Sequence, residues 1–228
     1  MASPEWADLN LGRPETVLHR YAQMNQSLKS SLNDRASFSF ARFMTSSALL
    51  WSAFLWGFAE ASFFFIVPDV LLTLIACRAL KPALKATIAA LAGALAGGVL
   101  MYAFGMRSPD EARAFLDYVP AISPDLIARV ARQIDEHGLM AVMIGPLKGI
   151  PYKIYAVEWG AQGRSLIGFL LISIPARYIR FFLATIVARL IARLIETVTK
   201  RRAGIEILVI AALWIAFYGF YFLRFGWR

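Results

Sequence analysis

Seven ionisable residues stand within the apolar stretches of this chain: Glu60, Asp69, Lys148, Lys153, Glu158, Arg177 and Arg180. A charge at the centre of a bilayer costs about 2.5–3.5 kcal/mol on insertion scales. Such a residue survives by pairing, by facing water or by losing its charge. Glu60 and Asp69 belong to one apolar segment, Lys148 and Lys153 to another. Brought together, they would make a cavity with walls of opposite charge. Partly desolvated carboxylates in such a cavity can carry protons. Lysine as a point charge, and arginine through its planar fork, can hold a phosphate. A structural reading stands beside the chemical one: Glu60 or Asp69 pairs with Lys148 or Lys153 and locks the segments together. Arg177 and Arg180, beside Pro175, are open to both readings, because long basic side chains also snorkel to the membrane surface. Glu158 is expected at that surface.

The composition says what kind of element must hold these residues. Of 228 residues, 59% are hydrophobic and 17% are charged. An ordinary soluble domain has about 45–50% apolar and about 25% charged residues. With a mean hydropathy of +0.57, no core of this size hides the surplus from water. An all-α polytopic membrane protein is expected, and composition excludes disorder, collagen-like repeats and disulfide scaffolds. The net charge of +9 is scattered over segment ends, where Lys and Arg set topology and meet anionic lipid. No nucleic-acid partner is expected. Nor is a cofactor or metal: Cys77 is the only cysteine, and His19 and His137 share no motif. Glu5, Asp8 and Glu15 interrupt a start that lacks the apolar region of a signal peptide.

Residues 1–42 form a polar appendage, and residues 43–228 the membrane domain. In the appendage, Pro14 could open an interfacial helix striped by Val17, Tyr21, Met24, Leu28 and Leu32; a disordered tail is the alternative. Phe43 to Cys77 is too long for one span and too short for two, and Pro68 breaks it near Glu60 and Asp69. Residues 43–80 therefore read as a hairpin that re-enters from one side. Broken backbone of this kind is tolerated only in protein or against a wet cavity. Residues 86–106 are a plain span, in which Gly93 and Gly97 form a GxxxG for close helix packing. That stripe could serve packing within the chain or a homo-oligomer. Residues 107–138 are a polar connector, amphipathic from Ile122 to Ile134 with Pro124 and Asp125 near its start. Residues 139–163 are broken by Pro146, Gly149 and Pro151 and read as a second re-entrant hairpin. Spans follow at 165–188 and 205–223, separated by a basic stretch from Arg189 to Arg202. Tyr218, Tyr221 and Trp227 suit an interfacial aromatic belt.

The architecture expected is two opposed re-entrant hairpins with about three transmembrane helices and amphipathic connecting helices. Paired interrupted segments point to a transporter with inverted internal symmetry. If both hairpins return to their starting side, 13 Lys and Arg lie on the N-terminal side against 7 opposite. The N-terminus is then cytoplasmic.

Two segments also resemble a known family. Glu60-Ala-Ser-Phe-Phe-Phe-Ile-Val-Pro68-Asp69-Val-Leu-Leu72 is similar to the acidic, proline-broken hairpin of the DedA superfamily, also called VTT or SNARE-associated Golgi proteins. Gly145-Pro146-Leu147-Lys148-Gly149-Ile150-Pro151-Tyr152-Lys153 resembles its second hairpin, which usually carries arginines around a proline. Gly160, Gly163 and Arg177-Tyr178 extend the likeness, which covers roughly residues 45–190 and is closest to the YqaA-like branch. The resemblance implies two facing hairpins, a bacterial inner-membrane location and a role in moving lipids across the bilayer. Glu60 and Asp69 match its acidic hairpin, and Lys148 and Lys153 its basic one. Lysine stands where the family has arginine, which removes the bidentate grip on phosphate.

The expected function is translocation of a lipid or lipid phosphate, such as a polyprenyl phosphate or a phospholipid, between leaflets. Lys148, Lys153, Arg177 and Arg180 would bind the headgroup, while Glu60 and Asp69 would couple it to protons. The partners would be membrane lipids and protons. A passive phospholipid scramblase, or a proton-coupled transporter of a small soluble ion, would use the same residues. No phosphatase histidines, phosphotransferase motif or Ser/His/Asp pattern supports an enzyme, and an assembly role leaves four charges in two broken helices unexplained.

Overall fold

The computed structural model describes residues 23–27, 42, 46–198 and 204–225. The chain divides into two compact units, Met1–Thr45 and Ser46–Arg228. In the first, residues 23–27 are helical and Met24 is exposed. The start at Pro14 and the other stripe residues, Val17, Tyr21, Leu28 and Leu32, lie outside the described residues. So do His19, Lys200 to Arg202, and Trp227.

The second unit is helical throughout, with no strand among the described residues. Its elements are α1 (Ser47–Ser62), α2 (Asp69–Arg78), α3 (Leu80–Arg107), α4 (Pro109–Asp117), α5 (Pro124–His137), α6 (Leu139–Ile144), a 3-10 turn (Pro146–Lys148), α7 (Tyr152–Ala161), α8 (Leu166–Val198) and α9 (Ile205–Phe225). Of these, α3 and α9 are long and apolar enough to cross a membrane.

Local chemistry sets both breaks. The N–H groups of Phe63 and Phe64 both donate to the Ala59 carbonyl, at 2.8 and 2.7 Å, which ends α1. Pro68 lacks a donor and opens α2, where Asp69 lies in the first turn at the positive end of the helix dipole. In the second break, the 3-10 turn starts at Pro146 and stops at Gly149, whose φ of +87° is open to glycine and costly for other residues.

Helix α3 seats both broken segments through small residues. A Cβ on Gly93 would fall on the Phe54 carbonyl of α1, and one on Gly57 would fall on the backbone of Ala90. Toward α7, Gly105 meets the Val157 carbonyl and Gly160 the Tyr102 carbonyl. Gly93 and Gly97 therefore pack against α1 of their own chain. Gly93→Ala is expected to cost about 1–3 kcal/mol, because backbone on both sides leaves no side chain to yield. Thermal unfolding in detergent reads this directly. Gly219→Ala, with nothing near its Cβ, is the neutral control.

Helix α8 is built inside out. Ser173, Arg177 and Thr185 lie on its buried face, whereas Ile167, Leu171, Leu183, Val187, Leu190 and Leu194 are more than half exposed or close to it. A water-soluble helix shows the opposite order.

Several boundaries differ from those expected. Helix α8 does not end at 188; it runs to Val198, so Arg189 and Arg193 are helical rather than in a loop. Helix α3 starts six residues before 86, because Pro82 is tolerated in a first turn and Lys81 and Lys85 do not stop a helix. Hydropathy measures where apolar residues end, not where hydrogen bonding ends. The connector holds two helices, α4 being the one its charge concealed, and α5 begins where Ser123 accepts from the Leu126 N–H at 3.3 Å.

Candidate functional site

The two breaks meet at a cavity of about 300 Å³, lined by Glu60, Lys148, Lys153 and Arg180 and by aromatic residues of the first break and α9. From Phe64 to Val67 the first break lies outside any helix, and side chains from three other places hold it. Trp56 Nε1 donates to the Ile66 carbonyl at 3.0 Å. The Val67 N–H donates to Tyr218 Oη at 2.9 Å. Lys153 Nζ donates to the Phe64 carbonyl at 2.7 Å. This satisfies the requirement that irregular backbone be partnered when it is away from water.

Below the cavity wall lies a cluster of five charges. Arg177 pairs with Glu60 through Nη2 and Oε2. One helical turn on, Arg180 Nη2 donates to Asp69 Oδ2 at 2.6 Å. The i, i+3 spacing puts both guanidinium groups on one face of α8, opposite the two acids. Arg177 is 1% exposed, and its guanidinium lies 4.5 Å from the Tyr152 ring and 5.0 Å from that of Phe181. Tyr152 in turn donates to Ser173 Oγ at 2.9 Å. Asp69 Oδ1 and the Arg177 atoms Nε and Nη1 are buried without a hydrogen-bond partner.

The acids do not pair with Lys148 or Lys153, as the structural reading had it; the arginines take both. A guanidinium offers planar, paired donors that match a carboxylate better than an ammonium does. That leaves the lysines over. Lys153 is 2% exposed and its hydrogen bond goes to a neutral carbonyl, so three cations face two carboxylates in the buried cluster. Lys148, by contrast, is exposed at the cavity's edge. Asp69 and Arg177 stand behind the lining rather than in it. Pro68, Pro146, Gly149 and Pro151 make the breaks themselves.

Glu158, expected at a surface, is fully buried in α7 by the surrounding protein. Both its oxygens accept from Arg113 of α4, at 2.8 and 2.9 Å. That hydrogen bond raises the Arg113 guanidinium further above its ordinary value. Tyr218, expected in an aromatic belt, holds the first break. Its position two-thirds along the last apolar helix carries no sign of that partner. The described residues hold no group of His, Cys, Asp and Glu fit for a metal ion.

No protein-family model matches the chain. No solved structure matches it either. A protein of Haemophilus influenzae described as uncharacterized is 26% identical over 178 residues, which covers 78% of this chain and 90% of that protein.

Proposed function

We propose that this chain is a DedA/VTT-like membrane protein that moves a phosphate-bearing lipid headgroup between leaflets. The observation that carries the reading is Lys153: a buried cation on a cavity wall, left over after both carboxylates have taken arginines. An anion in the cavity completes the charge balance. The apolar outer face of α8 and the apolar spans α3 and α9 support a lipid environment, since large exposed apolar surface is not stable in water. On this reading the two broken segments are re-entrant hairpins, and α3, α8 and α9 are the spans. The membrane is the bacterial inner membrane, with the N-terminus cytoplasmic.

The headgroup enters the cavity while its tails stay in lipid along the outer helix faces. Lys153 and Arg180 meet the phosphate inside, and Lys148 meets it at the edge. A phosphate at Arg180 competes with Asp69 for the guanidinium. A proton on the released carboxylate offsets its loss of the guanidinium, and balances the second negative charge of a phosphate monoester, which links lipid movement to protons. Glu60, on the cavity wall, stays with Arg177 behind it and holds α1 to α8.

The test is leaflet exchange of a fluorescent phospholipid and a polyprenyl phosphate in proteoliposomes, with and without a pH gradient. Exchange above empty vesicles that responds to the gradient is expected. Exchange indifferent to the gradient would remove the proton link and leave a scramblase. Exchange of neither lipid by folded, inserted protein would overturn the reading.

A further inference from the structure

The charged cavity has a neighbour. A second hollow of about 460 Å³ lies among α4, α5 and α7, lined by Arg113, Asp117, Pro124, Ile127 and Glu158. Val119, Pro120 and Ile122 line the first cavity, while Asp117 and Pro124 line the second. Residues 117–124 are thus the partition between the two. Its middle residue, Ala121, has φ +63°, and no other non-glycine residue has a positive φ among the described residues. A side chain with a Cβ is strained there.

Val119 and Ile122 of the partition are buried, and its hydrogen bonds are short-range backbone ones, such as Val119 N–H to Leu116 O and Ile122 N–H to Val119 O. Its flanking helices are fastened to α7 instead. Tyr155 Oη donates to Gln133 at 2.8 Å, and Glu158 grips Arg113 through both oxygens. This second fastening is lopsided. Glu158 is fully buried and has one partner, whereas the Arg113 side chain is 41% exposed in the second hollow. Arg113 can be solvated when it lets go, but Glu158 would stay buried without a donor, so this pair is the strong bond that keeps the flanking helices shut.

We infer that the Tyr118–Ser123 turn is a gate between the two hollows, with the Arg113–Glu158 pair as its latch and the strain at Ala121 favouring release. The inference rests on the proposed translocation only for its purpose: the gate would let a headgroup pass from the charged cavity toward the face bearing α4 and α5. Its movement can be read without any lipid substrate.

The test uses cysteine labelling in the full chain, reconstituted in vesicles, with Cys77→Ala as background. Ile122→Cys reports the gate, since Ile122 is 3% exposed, and Ile154→Cys in the body of α7 reports general loosening. A water-soluble maleimide should label position 122 about tenfold faster in Glu158→Gln, as expected when charge-assisted bonds weaken. Ala121→Gly, which relieves the strain of the closed turn, should slow that labelling about threefold. Position 154 should stay unlabelled in every background. Unchanged labelling at 122 in Glu158→Gln would overturn the gate, as would faster labelling in Ala121→Gly or parallel labelling at 154. None of these results bears on whether lipid exchange occurs, so the two readings fail separately.

Discussion

Replacing Arg177 with methionine is expected to lower the stability of the protein by about 3–5 kcal/mol, the cost of leaving one member of a buried ion pair alone. Glu60 is 5% exposed and its hydrogen-bond partner is Arg177. Methionine fills much of the space but leaves the carboxylate without a donor. The aromatic faces of Tyr152 and Phe181 also lose the cation that lies between them. Thermal or denaturant unfolding in detergent measures the loss. The double variant Glu60→Leu with Arg177→Met should recover most of it, because removing both charges removes the desolvation cost with them. If the single variant is as stable as the parent, the pair does not hold α1 to α8.

Lys153→Met is expected to act more on transport than on stability. It removes a buried surplus cation but also leaves the Phe64 carbonyl without its side-chain donor, so stability should fall by about 1–3 kcal/mol at most, less than for Arg177→Met. Lipid exchange should collapse. A contact between a charged donor and a phosphate is worth about 1.5–3 kcal/mol, so a fall of about ten- to a hundredfold is expected. Lys148→Ala, at the exposed edge of the cavity, should lose no more than about threefold, because exposed ion pairs contribute about 0–1 kcal/mol. Stability and transport thus separate Arg177 from Lys153, though both are buried cations in one cluster.

The charged residues were legible because hydropathy gives each of them a cost. Glu60, Asp69, Lys153, Arg177 and Arg180 stand out in apolar sequence, and the structure gathers them within one cluster. Their partners were not legible. Arg177 lies 117 residues from Glu60 and Arg180 lies 111 from Asp69, distances at which local pattern carries no pairing information. The choice of arginine over lysine as partner follows from guanidinium geometry, but only once both are within reach. Glu158 shows the same limit from the other side. Its partner, Arg113, sits in a polar connector where an arginine is unremarkable by hydropathy, so nothing in the sequence marks Glu158 as buried and paired. The breaks were readable from Pro68, Pro146, Gly149 and Pro151, whereas the side chains that satisfy them were not. Tyr218 reaches Val67 across 151 residues. Helix ends were misplaced wherever a charged residue continued a helix past its apolar run, as Arg189 and Arg193 do in α8.

Beyond its bond to the Phe64 carbonyl, Lys153 is proposed to bind the headgroup. The most direct measurement is leaflet exchange of a fluorescent polyprenyl phosphate in proteoliposomes bearing the parent protein or Lys153→Met at equal, folded density. Exchange by the parent is expected, with a rate about ten- to a hundredfold lower for the variant and a loss of thermal stability smaller than that of Arg177→Met. Equal exchange by the two proteins would contradict it.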